Sequence, residues 1–332
     1  MQTQRIPFID FIKGIAIILV VIGHFIEMNM RQCGFTDPFS AVWSWIYSFH
    51  MPLFFFASAY LTTISSRRHS LFYSVIIKTE TILLPYIVWM YLIPINCIHS
   101  FLWFLPALYV FSLLYLCFDR IEQGINFNMF LFVPASIAFF VIPLCVVYVI
   151  CPNDILKRII LFVPMYVSGF LFSKYSTIMW LKKKNWLVSI TFILFLLSSL
   201  LYKTFDNEFY NYICKMTAGI CSILVFSSFC TSEGLINWNN KFIQAVSYCG
   251  KKSMYIYLNH GLFVLVFVSA NFFFFNNMMP YWQFLIALVA AFLIICGCLL
   301  VGYIVDFFRL AKYIIYGGHL SAISARFRSL KF

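Results

Sequence analysis

Along this chain, apolar residues come in runs of about 20, enough for a helix to cross a hydrocarbon layer roughly 30 Å thick. Polar residues gather in the short breaks between them. The pattern predicts membrane-spanning helices over Phe8 to Met28, Phe39 to Thr63, Leu71 to Ile93, His99 to Phe118 and Phe127 to Ile150. It continues with Ile159 to Lys174, Trp186 to Tyr202, Tyr212 to Cys230, Met254 to Phe275 and Tyr281 to Phe308. The expected fold is an all-α polytopic membrane protein of about ten transmembrane helices. With 332 residues, spans of this length leave no room for a sizeable soluble domain, so residues 1–332 are expected to form a single integral-membrane domain.

Composition agrees with this pattern. The chain is 63% hydrophobic, 21% aromatic and 10% charged, whereas about a quarter of an ordinary soluble domain is charged. Its formal charge of +12 does not point to nucleic acid, because the basic residues are scattered through short loops rather than interleaved with aromatics on one surface. An even number of spans puts both termini on one side. If that side is the cytoplasm, the outer loops hold only Arg31, Lys157, Arg158, Lys203 and Lys215 of the 23 basic residues. Lys13 and Lys78 then lie within spans and the rest are inside, as the positive-inside rule requires. Both termini are therefore expected in the cytoplasm. Lys182, Lys183 and Lys184 read as a topology signal held at the lipid surface. The eleven cysteines form no CxxC pair and no metal-like spacing with His, so neither a disulfide framework nor a metal site is expected. The first apolar run is interrupted by Asp10 and Lys13 and is followed by no small-residue cleavage site; it reads as a retained span.

Within that first span, ionisable residues interrupt an apolar run, which at membrane depth makes them functional candidates. On a helix the eleven-residue step from Lys13 to His24 turns about three full circles and rises roughly 16 Å. Asp10 and Glu27 lie one turn beyond each end, so one stripe carries Asp10, Lys13, His24 and Glu27. Gly14 and Gly23 flank it and allow close approach to the backbone. The plainer alternatives are that Lys13 snorkels to the interface and that His24 is simply hydrogen-bonded.

Other polar positions recur at intervals. His50 and Pro52 interrupt the aromatic run of the second span, which suggests either a cavity beside a kink or a packing kink with His50 bonded to a carbonyl. Arg67 and Arg68 precede the third span, and Lys78 lies within two turns of its cytoplasmic end. Trp103 and Tyr109 read as interface-belt residues. Asn259 and His260 lie about two turns into the ninth span, where a buried pair must find partners or water.

Lys13, ten intervening residues and His24 resemble the basic-x10-His signature of the membrane acyltransferases called acyltransferase family 3. FIDFIKGIAIILVVIGH, FHMPLFFFASAY, LLPYI, LWFLPALY and SMYIYLNH are similar to family segments in the same order. The resemblance covers essentially the whole chain and is nearest to the single-domain, fucose 4-O-acetylase-like branch. Ala59 stands where the family has Gly in the second span. Lys78 and Thr81 stand where it often has paired arginines in the third.

The resemblance implies a multi-pass protein of the bacterial inner membrane that moves an acyl group, most simply acetyl, from acyl-coenzyme A to a hydroxyl of a surface polysaccharide or lipid-linked sugar. Acetyl-CoA or another acyl-CoA would be the donor substrate, with no permanently bound cofactor. The partners would be that donor, the glycan acceptor and the lipid bilayer. Arg67, Arg68, Lys78 and Lys13 would attract the donor's phosphates. His24 would be the general base or a transient acyl carrier, with Asp10 or Glu27 as partner. His50 or His260 would position groups or stabilise the developing oxyanion. The rival reading is a secondary transporter or lipid-linked sugar flippase using the same His, Lys and Asp as a proton relay, but the charged first span has no counterpart in the second half of the chain.

Overall fold

The computed structural model describes residues 6–33, 37–67, 69–92, 101–125, 129–175, 185–231, 236–275 and 280–318. Among these it is about 90% helical and contains no strand. Seven stretches are long and apolar enough to cross a membrane: Pro7–Asn29, Leu71–Tyr91, Phe104–Ile125, Leu131–Ile150, Asp154–Tyr175, Glu208–Thr231 and Trp282–Asp306. Two shorter apolar helices, Trp186–Leu201 and Ser253–Ser269, fall on the expected seventh and ninth spans. The expected second span is a 30-residue helix. Arg68 and Lys182, Lys183 and Lys184 lie outside the described residues, as does the expected start of the fourth span at His99.

The chain divides into two compact units, Met1–Tyr60 with Pro164–Leu299, and Leu61–Val163 with Leu300–Phe332. The first holds α1 (Pro7–Cys33), most of α2 (Asp37–Ser66), and α8 to α12. These are α8 (Val163–Tyr175), α9 (Asn185–Leu201), α10 (Glu208–Thr231), α11 (Lys241–Lys251) and α12 (Ser253–Phe275). It also holds α13 (Pro280–Asp306) as far as Leu299.

Small residues decide how closely these helices approach. α1 packs against α11 with backbone on backbone: a Cβ at Gly14 would run into the Val246 carbonyl, and one at Gly250 into the Asp10 carbonyl. Any side chain at either position would push the pair apart, which is how small residues work in helix contacts lacking a hydrophobic driving force. Around Pro52 the same device recurs, since a Cβ at Gly219 would lie 2.8 Å from the proline ring. Ala59 is accommodated by Gly169, where a Cβ would approach the Ala59 methyl to 2.7 Å. Phe49, Phe55, Phe56, Tyr166 and Phe170 are fully buried and fill the space between.

The second unit holds the end of α2, α3 (Leu71–Lys78), a π-helical turn (Thr79–Leu83) and α4 (Leu84–Leu92). It continues with α5 (Phe104–Ile125), α6 (Met129–Ile150), α7 (Asp154–Leu161), the end of α13, and α14 (Arg309–Tyr316). Ser70 caps α3 by accepting from the Tyr73 amide at 3.4 Å. The widened turn sits just before Pro85, which cannot donate a helical hydrogen bond. The hydroxyls of Thr79 and Thr81 donate to the Val75 and Ile77 carbonyls at 3.0 and 2.6 Å. The sixth expected span starts earlier than its apolar run, at α7, because Asn153 caps the Ile155 amide at 2.8 Å. It is interrupted at Phe162 before α8. On α6, Leu131, Ile142, Val146 and Val149 face outward, an arrangement that suits hydrocarbon as solvent and not water.

Neither α11 nor α14 belongs to the expected spans. Each is short, with a charged face and an apolar face. α14 is tied to α4 by the Trp89 indole, which donates to the Ile315 carbonyl at 3.0 Å. Gly317 ends α14 with a φ of 74°, and a Cβ there would meet the Glu80 carbonyl and Pro85 ring. The left-handed backbone and the close approach both favour glycine.

Candidate active site

α1 is helical without interruption from Pro7 to Cys33, so Lys13 and His24 do share one face, roughly 16 Å apart. Asp10, Lys13 and Glu27 are half-buried, and His24 is only 9% exposed. In water-free surroundings such groups need polar partners.

For His24 the partner is on α12. Its Nδ1 forms a hydrogen bond of 2.8 Å with Nε2 of His260, 236 positions away in sequence. The two imidazoles are nearly parallel, with an interplanar angle of 16° and centroids 5.0 Å apart. His260, 1% exposed, donates from Nδ1 to the Tyr257 carbonyl at 2.6 Å. The neighbouring Asn259 donates to the Tyr255 carbonyl at 2.8 Å.

α2 supplies the third wall. The Tyr47 hydroxyl donates to the Glu27 carboxylate, and its ring stands edge-on to both His24, at 6.2 Å between centroids, and His50, at 4.9 Å. His50 donates from Nδ1 to the Ile46 carbonyl one turn earlier, at 2.7 Å. Of the two sequence readings of His50, the carbonyl-bonded one accounts for this nitrogen.

The first unit thus brings Glu27, His24 and His50 against Tyr47, with His260 joined to the group through its bond to His24. Tyr47 was missed from sequence because it is one aromatic among many in α2. Its position three residues before His50, on one helical face, was the available signal. A cavity of about 1010 Å³ in the same unit lies mainly along another face of α1, where Ile18 and Ile22 meet Lys241, Ser247 and Phe292; Asp10, from the stripe that carries His24, reaches its lining, and His24 does not. Ile22 and His24 are about 200° apart around the helix, which explains the separation.

Arg67 and Lys78 belong to the second unit. Arg67 is exposed in the turn after α2. Lys78 is half-buried at the end of α3 and donates to the Thr62 hydroxyl at 2.9 Å, so its ammonium is held inside the unit instead of extending to the interface. Next to it, Glu80 is buried and accepts from the Tyr313 hydroxyl at 3.4 Å. Desolvation and the Glu80 carboxylate raise the Tyr313 hydroxyl above its usual range, so it remains a donor.

The acyltransferase 3 family model, described as an acyltransferase domain, matches residues 6–301. Among characterised proteins, the nodulation protein NolL of Sinorhizobium fredii is 38% identical over 97 residues, covering 29% of this chain and 26% of the relative. NolL of Mesorhizobium japonicum is 42% identical over 86 residues, 25% of this chain and 22% of the relative. The chain thus aligns with about a quarter of the length of each. No solved structure matches it significantly. With the family signature laid on one face of α1 and the match running from the first helix into α13, the chain belongs to the acyltransferase 3 family, whose members are membrane proteins.

Proposed function

We propose that this protein is a multi-pass enzyme of the bacterial inner membrane that transfers an acyl group, most simply acetyl, from acyl-CoA to a hydroxyl of a surface polysaccharide or lipid-linked sugar. The observation that carries the reading is the buried His24–His260 hydrogen bond between two membrane helices of a family acyltransferase. A neutral imidazole suits the chemistry because its unperturbed pKa, about 6.5, lets it take and return a proton near neutral pH. His24 removes the proton of the acceptor hydroxyl as the oxygen attacks the thioester carbonyl. The tetrahedral intermediate then collapses, the carbon–sulfur bond breaks, and the departing sulfur takes the proton from His24.

Lys13, Arg67, Arg68 and Lys78 are proposed to attract the donor's phosphates, Arg by paired hydrogen bonds and Lys as point charges. His50 or Tyr47 is proposed to orient the acyl oxygen. The family match spans residues from both units, which supports treating residues 1–332 as one acyltransferase domain; about ten spans and cytoplasmic termini are part of the same proposal and rest on the apolar runs and the distribution of basic residues.

The test is purified protein in lipid vesicles given labelled acetyl-CoA on the side of the termini. Label recovered in glycan, together with stoichiometric free coenzyme A, supports acyl transfer. Solute counterflow without coenzyme A release would establish the transporter reading instead.

A further inference from the structure

The hydrogen bonds around His260 form a directed chain. The Tyr257 carbonyl can only accept, so Nδ1 of His260, 2.6 Å away, must carry a proton. In a neutral imidazole the other nitrogen is then an acceptor. That nitrogen, Nε2, faces Nδ1 of His24 at 2.8 Å, so the shared proton must belong to His24. A neutral His24 that donates from Nδ1 carries its in-plane lone pair on Nε2. Nearly parallel rings allow this, because both the N–H and the accepting lone pair lie in the ring planes.

We propose that His260 is a positioning residue that fixes His24 in the tautomer protonated at Nδ1, so that Nε2 of His24 is the atom that takes the acceptor's proton. This deepens the acyl-transfer reading and rests on it. The opposite tautomer would set Nδ1 of His24 and Nε2 of His260 lone pair to lone pair, which both burial and proximity disfavour. When Nε2 accepts the hydroxyl proton, the new positive charge on His24 is stabilised through the Nδ1–H bond to His260. The proton later leaves from the same Nε2 to the departing sulfur, so His260 neither gains nor loses one overall. His260 is itself anchored by the carbonyl of its own helix, and Asn259 holds the adjoining turn. A carboxylate plays this orienting part in many histidine bases; here the orienter is a neutral ring, which avoids burying a further charge among apolar helices.

The test reads the tautomer directly. The full chain, labelled with ¹⁵N-histidine, is placed in lipid nanodiscs, and the His24 signals are identified by their loss in His24→Asn. The expected spectrum shows His24 with a protonated Nδ1, an unprotonated Nε2 and a coupling across the hydrogen bond to Nε2 of His260. A His24 ring protonated at Nε2 and bare at Nδ1 overturns the proposal.

Kinetics supply the second readout. His260→Leu should mix the two His24 tautomers and lower kcat by at least ~10-fold, part of the ~10²–10⁴ a positioned base supplies, with donor KM within about two-fold. His260→Gln, whose amide oxygen can accept from Nδ1 of His24, should recover part of that loss. A folded His260→Leu protein with wild-type kcat also overturns the proposal. The acyl-transfer reading fails separately if the wild-type protein given labelled acetyl-CoA releases no coenzyme A, whatever tautomer the spectrum reports.

Discussion

Tyr47 on α2 donates its hydroxyl hydrogen to the Glu27 carboxylate on α1, while the same ring packs against His24 and His50. One side chain therefore joins the helix carrying the family signature to the helix carrying Pro52. Tyr47→Phe keeps the ring and deletes this donor to the half-buried carboxylate. It is expected to reduce stability by about 1.5–3 kcal/mol, the range for hydrogen bonds to charged groups, read as a lower melting temperature in detergent. Glu27→Gln should cost less, since its amide oxygen still accepts. Equal melting temperatures for Tyr47→Phe and wild type would show that the bond contributes nothing.

The backbone contact between α1 and α11 makes a sharper demand. Gly14→Ala and Gly250→Ala each place a methyl against a carbonyl of the facing helix, and neither neighbour is a flexible side-chain end. Overpacking of this kind typically costs roughly 1–3 kcal/mol. Both variants should show lower yields of monodisperse protein, and Gly124→Ala should not, since a Cβ there meets nothing within 4 Å.

How far the sequence alone reaches is visible in particular residues. His24, His50 and His260 were legible because a polar residue in an apolar run is costly and stands out. Their association was not, because a contact across 236 positions depends on which faces of α1 and α12 meet. Tyr47 was hidden by composition, being aromatic among aromatics. α11 and α14 escaped because two or three turns with a charged face do not form an apolar run. Lys78 was placed correctly near one end of the third span, yet its bond to Thr62 depends on how the end of α2 meets α3. The π-helical turn depends on a shift in hydrogen-bond partners around Pro85, which no hydrophobic period encodes.

Arg67 and Lys78 should behave differently if both serve the donor. Arg67 is exposed, so Arg67→Ala should raise the acyl-CoA KM several-fold at low salt and lose most of that effect near 1 M salt, where the Debye length falls to ~3 Å. Lys78 is half-buried and bonded to Thr62, so the KM increase in Lys78→Met should persist at high salt. Initial rates across a donor series at both ionic strengths check this. A Lys78→Met effect that vanishes with salt would contradict the assigned difference in burial.

The central claim is that His24 performs the proton transfer, and single-turnover transfer of labelled acetyl from acetyl-CoA by His24→Ala tests it most directly. The protein should be reconstituted in vesicles and shown by its helical spectrum and elution to be folded and inserted. Loss of a general base lowers the rate by at least ~10²-fold, and Lys13→Ala measured alongside should retain transfer at saturating donor. A folded His24→Ala protein that transfers acetyl at the wild-type rate would contradict the account.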